Sequence, residues 1–335
     1  MKRVLACALL CLCFILTACQ MGASNAEDDA EYHIRASHAV AQDQSTHLAL
    51  EQFKETIEDE SDERIRVDIY PAGQLYASER SSIEAVQQGN VEMTVTASAP
   101  LAGFDSSFLA IDLPFLFDSH EEAYEALDGE FGQTLLERLP DIGLQGLTFA
   151  ETGMRHLQNN EGPIESPEDM QPLNIRAMEN EVHLEMFRAM GANSQPYPFG
   201  ELYSALQQNV MNAMEGPYNL VYTSSLHEVQ DYLTISAHSY TPTIVFMNDD
   251  FYMDLPEDLR AIVDDAADDY RDEQRVMARE QDEEAFEVLE EHMEINEWSE
   301  EERQVFIDQT AYLYEAFEDE IDSEIMELIE PYRND

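Results

Sequence analysis

Cysteine is nearly missing from this chain of 335 residues. Its four cysteines are Cys7, Cys11, Cys13 and Cys19, so none lies in the globular body. This excludes disulfide bonds and thiol catalysis in the body. Packing alone must therefore stabilise the fold.

Cations are also scarce, with 17 Lys+Arg against 71 Asp+Glu and a formal net charge of −54. Such a surface repels nucleic acid and anionic lipid, so neither is an expected partner. An excess of acids with almost no lysine predicts a halophilic protein, because the Debye length of ~3 Å in 1 M salt screens self-repulsion. An acidic calcium store is the alternative, but residues 264–272 (DDAADDYRD) lack the loop glycine and are typical of a solvated helix face.

The N-terminal apolar run is too short to span a bilayer. Residues 4–16 are 13 residues long and follow Lys2 and Arg3, which predicts a signal peptide over residues 1–18. Residues 16–19 (LTAC) resemble a bacterial lipobox, which predicts lipidation of Cys19 and a tether over residues 19–30. Plain cleavage further on, for instance after Ala26, is the alternative. A lipidated terminus attaches a protein to a membrane surface without spanning it.

Short catalytic motifs are missing as well. The body has no G-x-S-x-G, no Gly-rich phosphate loop, no H-E-x-x-H and no C-x-x-C. These absences favour a protein that is not an enzyme and that needs no cofactor or metal. A secreted hydrolase that uses acid pairs remains the enzymatic alternative.

The first half of the body has a strand–helix–strand rhythm. Alternating residues predict strands over 32–37, 64–70 and 91–96, with helices over 46–57 and 78–88 between them. This order is typical of an α/β fold with a largely parallel sheet. The apolar run 108–117 (FLAIDLPFLF) is predicted to be a buried strand or crossover, and residues 144–151 resemble a strand.

A second α/β rhythm starts near Gly153. The predicted strands are 174–178, 210–214, 232–235 and 243–247. Long acidic helices are then predicted over 255–293 and 299–329, with buried positions at Leu289, Met293, Phe306, Tyr312, Tyr314 and Phe317.

Two lobes are therefore expected. Lobe I is predicted to comprise residues 31–152 plus about 240–280, and lobe II residues 153–239 plus about 281–335. A crevice between two such lobes is the default ligand site.

Arg176 is the strongest candidate for a functional residue. It lies in the predicted strand 174–178, where a rigid element would fix its side chain. Its planar guanidinium matches a carboxylate with two parallel hydrogen bonds and stays charged at working pH. This pattern indicates capture of a small organic anion. The alternative is a surface arginine that neutralises nearby acids.

Three further candidates lie in the second half. Arg155 follows Gly153, which allows close backbone approach, although an ion pair between lobes would need the same residue. Phe199 would form an apolar wall for a ligand or a staple for its helix. Glu215 ends a predicted strand at the expected crevice, or is one more solvated acid.

Three candidates lie in the first half. Glu79 begins a predicted helix, and Ser98 and His38 follow predicted strands. The same strand-end argument places all three near a crevice. A histidine could donate to a ligand oxygen, but a lone histidine is more often structural.

Two segments of this region resemble the solute receptors of tripartite ATP-independent periplasmic (TRAP) transporters, the DctP-type family. They are SPEDMQPLNIRAM and GANSQPYPFGELYSALQQNVMNAMEGP. Weaker similarities are YPAGQL, IDLPFLF, TGMRH and LPEDLRAIVDDAA. The resemblance implies a two-lobed, periplasmic-binding-protein-like fold with a hinged cleft. It also implies that Arg176 bridges to the ligand carboxylate, that Arg155 supports it and that Phe199 lies against the ligand. One departure is Gly216, which stands where the family usually has a ligand-binding asparagine.

The resemblance thus predicts an extracytoplasmic receptor that captures a small organic acid and delivers it to the membrane permease of a TRAP transporter. The predicted location is the periplasm, with attachment to the membrane through the lipidated N-terminus. Two alternatives keep the same fold: a ligand-sensing receptor for a signalling partner, and a receptor for another class of transporter.

Overall fold

A mixed β-sheet of nine strands is the centre of the computed structural model, which describes residues 30–333. The predicted signal peptide, Cys19 and almost all of the predicted tether lie outside the described residues. The strands are β1 Tyr32–Ser37, β2 Ile65–Tyr70, β3 Met93–Ala97, β4 Leu144–Asn159, β5 Asn174–Ala177, β6 Asn193–Pro196, β7 Ala213–Gly216, β8 Tyr232–Asn248 and β9 Glu294–Glu297.

Helices flank this sheet. They are α1 Ser45–Glu60, α2 Glu79–Gln87, α3 His120–Asp128, α4 Glu130–Arg138, α5 Pro167–Met170, α6 Glu181–Ala189, α7 Leu202–Gln207, α8 Tyr218–Thr223, α9 Asp249–Asp254, α10 Glu257–His292, α11 Glu300–Thr310, α12 Tyr312–Ala316 and α13 Ser323–Ile329. Side-chain caps set several starts, as at α2, where the Ser78 hydroxyl accepts from the Ser81 amide.

The strand order is β2-β1-β3-β8-β4-β7-β5-β6, with β9 paired to β8. Pairing is parallel in β1 with β2 and β3 and in β5 with β6 and β7, but antiparallel from β3 through β8 and β4 to β7. The predicted α/β class is therefore correct, and five of the eight strand pairs are parallel, β8 with β9 among them, but the longest pair, β4 with β8, is antiparallel. The sheet has parallel sides joined by an antiparallel centre.

The antiparallel centre consists of two long strands, β4 and β8, for which the sequence patterns predict shorter segments. Predicted strands 232–235 and 243–247 are one strand, β8, and the predicted strand 144–151 continues to Asn159. Ladder pairing continues through the polar residues between them, from Leu144 opposite Asn248 to Asn159 opposite Tyr232. Three register shifts interrupt β4, including one between Glu151 and Gly153.

Separate apolar cores cover the two sides of the sheet. In one, Phe53 of α1 and Tyr270 of α10 pack with strands β1, β3 and β8. In another, Leu202, Met214 and Leu289 join α7, β7 and the end of α10. The largest core contains Phe131 of α4, Phe187 of α6 and residues of α11 to α13, so the C-terminal helices pack near elements of both halves. The lobe boundaries in the sequence stay a prediction.

Three local predictions are corrected. The run 108–117 contains no strand: its first part continues a 3₁₀ helix, Ser106–Asp112, and Pro114 and Phe115, with φ of 54°, turn the chain. The single helix predicted over 299–329 is broken into α11, α12 and α13, and Asp322 caps the last. Tyr312 is 54% exposed, while the other predicted buried positions of this region are buried.

Among residues 30–333, none of the helices combines the length and the apolar character needed to cross a membrane.

Candidate functional site

A cavity lies beside the antiparallel centre of the sheet. Both sides of the sheet contribute to it. Its polar lining residues are Gln44, Thr46, Glu79, Thr96, Thr152, Arg155, Arg176 and Thr243. Its apolar lining residues are Ala39, Val40, Val95, Ala97, Met178, Phe199 and Leu220.

Arg176 lies in β5 with only 4% of its surface exposed. Ile175 and Ala177 on either side point into the core, so the alternation of the strand turns the guanidinium the other way. Its Nε donates to the Tyr197 carbonyl at 3.0 Å, and its Nη1 is 3.9 Å from Oε1 of Glu215. Burial lowers the pKa of Arg176 and Glu215 opposes this, so the side chain remains a cation with terminal N–H groups available for an anion.

Arg155 and Glu215 form a buried ion pair across β4 and β7. Arg155 donates from Nε to the carboxylate, and its Nη2 donates to Oε1 at 2.9 Å and to the Glu215 carbonyl at 3.1 Å. Burial would raise the pKa of Glu215, but the charge of Arg155 and the neighbouring His238 hold it well below its usual range. Glu215 is fully buried and belongs to no part of the cavity lining described above. Its hydrogen bonds fix the position of the Arg155 side chain.

Phe199 and Glu79 line the cavity from opposite halves of the sheet. Phe199 starts a 3₁₀ helix, and its ring centre is 6.0 Å from Cζ of Arg176. Glu79 is the first residue of α2, and its carboxylate accepts from the Ala97 amide at 3.0 Å. Burial raises the pKa of Glu79, although the Ala97 amide and the two arginines oppose the shift.

His38 and Ser98 occupy other positions. His38 lines a small adjoining cavity with Glu79 and Thr96, and its Nε2 is 2.9 Å from Nδ1 of His47. Burial and His47 lower the pKa of His38 to about 3. Ser98 is fully buried just beyond β3, outside the lining of the main cavity. Four of the seven predicted ligand residues thus share one cavity: Arg176, Arg155, Phe199 and Glu79.

Sequence reasoning missed a set of buried threonines, which we call the hydroxyl wall: Thr46, Thr96, Thr152 and Thr243. Two of them carried a usable signal. Thr96 ends the predicted strand 91–96, and Thr152 immediately precedes the Gly153-Met154-Arg155 segment. Thr46 and Thr243 carried no such signal, because Thr46 opens α1 and Thr243 reaches the site through the pairing of β8 with Ala97 of β3.

Two glycines, Gly153 and Gly216, lie close to Arg155 in the sequence or in the structure. Gly153 has φ of +128°, and a Cβ there would lie 3.1 Å from Cβ of Pro217, so the close approach of backbone predicted at this position is present. At Gly216, a Cβ would meet Nη2 of Arg155 at 3.8 Å, an ordinary contact. Space for a small side chain therefore exists beside Arg155.

Residues 30–333 contain no cluster of three or more His, Cys, Asp or Glu side chains able to hold a metal ion. The arrangement that is present is a fixed guanidinium, an apolar ring and hydroxyl groups around one cavity, a set of groups with the chemistry to bind a carboxylate.

Comparisons with known proteins identify the family of the chain. The family model for bacterial extracellular solute-binding proteins, family 7, matches residues 36–320. The C4-dicarboxylate-binding periplasmic protein of Rhodobacter capsulatus is 32% identical over 259 residues, which cover 76% of this chain and 77% of that protein.

Solved structures show the same fold. The sugar acid binding protein of Advenella mimigardefordensis, in complex with galactonate, has a TM-score of 0.87 and 33% identity, covering 90% of this chain and 97% of that chain. A TRAP periplasmic solute binding protein of Sulfurospirillum deleyianum with bound succinate has a TM-score of 0.86 and 28% identity, covering 91% and 100%. These likenesses confirm the predicted α/β, two-lobed binding-protein fold.

Proposed function

The chain belongs to family 7 of the bacterial extracellular solute-binding proteins, the DctP-type receptors of TRAP transporters, and we propose that it captures a small organic acid outside the cytoplasm for delivery to the permease of such a transporter. This is a receptor-type family, not an enzymatic one.

The observation that carries the proposal is Arg176. The Arg176 side chain is 96% buried, and among the contacts described its guanidinium is hydrogen-bonded to the protein through Nε alone. Its terminal N–H groups are therefore available to a ligand. Burial of an arginine costs free energy unless an anion satisfies it. Glu215 satisfies only part of that need, since its carboxylate is bonded to Arg155 and its Oε1 lies 3.9 Å from Arg176. A ligand carboxylate supplies the remainder.

Binding in this cavity favours a closed form of the receptor. Arg176 and Phe199 lie in or beside β5, whereas Glu79 and Thr96 lie in or beside α2 and β3 on the other side of the central strands. A ligand that contacts both sets gains the full interaction free energy only when the two sides are close together. In this proposal the closed form is the one that the permease recognises.

The remaining parts of the proposal concern location. Cleavage after residue 18 and lipidation of Cys19 would attach the receptor to the outer side of the membrane, in keeping with the lipobox-like residues 16–19. The acidic surface fits a protein that works in concentrated salt.

A melting screen at high salt tests the function. The purified protein is heated with each of a library of organic acids, with neutral polyols and amines as controls. An acid at ~100 times its Kd should add about 2.7 kcal/mol of stability and raise the melting temperature. Recovery of that acid unaltered after incubation separates a receptor from a hydrolase. The proposal is overturned if no acid stabilises the protein, or if polyols and amines do so equally.

A further inference from the structure

The charged residues of the cavity lining set how many ligand carboxylates can be paired with a cation. Its charged lining residues are Arg176, Arg155 and Glu79. Arg155 is already bonded to the buried carboxylate of Glu215 through Nε and Nη2. Arg176 is therefore the only cation of the described lining whose terminal N–H groups are not shared with a carboxylate within hydrogen-bond distance.

The other polar residues of the cavity lining include no cation. They are the hydroxyl wall and Gln44, each of them at least nine-tenths buried. The Thr152 hydroxyl has no hydrogen-bond partner among the described residues, which is costly for a buried group unless a ligand or water supplies one. A wall of hydroxyls donates to and accepts from hydroxyl groups equally well.

The charge of Glu79 favours a ligand hydroxyl over a second ligand carboxylate. Its carboxyl group lines the same cavity, and its Oε1 is held by the Ala97 amide. The other oxygen can accept from a ligand hydroxyl, whereas a second ligand carboxylate would face a like charge or demand a proton. Arg155 and Arg176 carry two positive charges and Glu215 carries one negative charge, so one ligand carboxylate balances them, whereas a dianion would leave a negative charge uncompensated even with Glu79 neutral.

Because one guanidinium with free donors lines the same cavity as four threonines and a glutamate, we infer that the ligand is a polyhydroxylated monocarboxylic acid, of the sugar-acid class, and not a dicarboxylate. The inference rests on the proposed function and narrows its ligand. The carboxylate binds Arg176, the carbon chain lies along Phe199, and the hydroxyls reach Glu79 and the hydroxyl wall.

Calorimetry on the full mature protein with matched six-carbon acids tests this. D-gluconate and D-galactonate carry one carboxylate and five hydroxyls, D-glucarate and galactarate carry a second carboxylate, and hexanoate lacks the hydroxyls. We expect at least one monocarboxylic sugar acid to bind at least tenfold more tightly than its dicarboxylic counterpart and than hexanoate.

Two variants test which residues distinguish the sugar acid from the other acids. Thr152→Val keeps the shape but removes the unpartnered hydroxyl, and should weaken the sugar acid two- to tenfold while leaving hexanoate unchanged. Glu79→Gln can still accept from the Ala97 amide, but it removes the charge, so it should narrow the gap between the sugar acid and its dicarboxylic counterpart. Unfolding curves check that both variants fold.

The outcomes distinguish a failure of the inferred ligand class from a failure of the proposed receptor function. Tighter binding of glucarate, galactarate or succinate than of every monocarboxylic sugar acid would overturn this inference while supporting the receptor function. Equal binding of hexanoate would overturn it as well. An absence of binding by any acid would overturn both. The wild-type panel gives this answer even if neither variant folds.

Discussion

The two walls of the cavity differ in how they treat charge. The group that we call the charged wall consists of Arg155 of β4 and Arg176 of β5, which line the cavity, and Glu215 of β7, which lies outside the lining and is bonded to Arg155; all three are almost fully buried. The hydroxyl wall contributes neutral threonines, and Glu79, which lines the same cavity, has its pKa raised by burial. The cations thus lie beside a buried counterion, and the threonines of the lining are neutral.

This division assigns different energetic roles to the walls. An ion pair with bidentate geometry supplies strong, weakly selective attraction for any carboxylate. Hydroxyls supply less free energy each, but they leave an unpaired polar group when the ligand lacks a partner. We expect affinity to depend mainly on the charged wall and discrimination mainly on the hydroxyl wall.

The largest expected effect is on stability, at Arg155. Arg155→Met leaves Glu215 buried without its bidentate partner, and breaking a buried pair in this way costs about 3–5 kcal/mol. Urea unfolding in concentrated salt measures the loss. Arg155→Met/Glu215→Met, which removes both charges, should recover most of it. A loss below about 1 kcal/mol in the single variant would show that Arg176 and His238 suffice for Glu215.

In contrast to Arg155, we expect Arg176 to affect ligand affinity more than the stability of the fold. Arg176→Ala should weaken binding of the best acid from the melting screen by roughly ten- to over a hundredfold, since a charge-assisted bond contributes about 1.5–3 kcal/mol. Calorimetry measures this. Arg188→Ala is the matched control, because Arg188 is a half-exposed arginine paired with Glu185 on α6. Unchanged affinity in Arg176→Ala would remove the basis of the proposed function.

The smallest expected effect concerns acid sensitivity next to the hydroxyl wall. His38 has a pKa of about 3 in the folded protein against an ordinary value of 6.5. Below pH 6.5 the unfolded chain binds a proton that the folded protein does not, so His38 destabilises the fold as the pH falls. The loss between pH 7 and pH 5 is about 2 kcal/mol.

The variant His38→Gln isolates this contribution from the many carboxylates that titrate over the same range. Urea unfolding of both proteins at pH 7 and pH 5 should show that the wild type loses about 2 kcal/mol more than the variant. Equal losses would mean that His38 is protonated in the folded state, and that this side of the cavity is less dry than its burial indicates.

The candidate site was predictable where function concentrates in short segments. Arg176 could be found because it is a lone cation between apolar residues of a strand, and Glu79 because it opens a capped helix. Glu215 was found as a strand-end acid, yet its bond to Arg155 depends on the pairing of β4 with β7. Thr243 was not found, because a threonine within a strand gives no sign of which neighbour it will face.

The amino-acid sequence by itself determined the α/β class, most element boundaries, the extreme acidity and the presence of an arginine suited to a carboxylate, because these depend on local periodicity, composition and side-chain chemistry. Only the tertiary structure decided that β8 is one strand through both halves, that Arg155 is bonded to Glu215 while Arg176 keeps donors for a ligand, and that four threonines share one wall. These depend on strand register and burial between residues far apart in the chain, which no local pattern encodes.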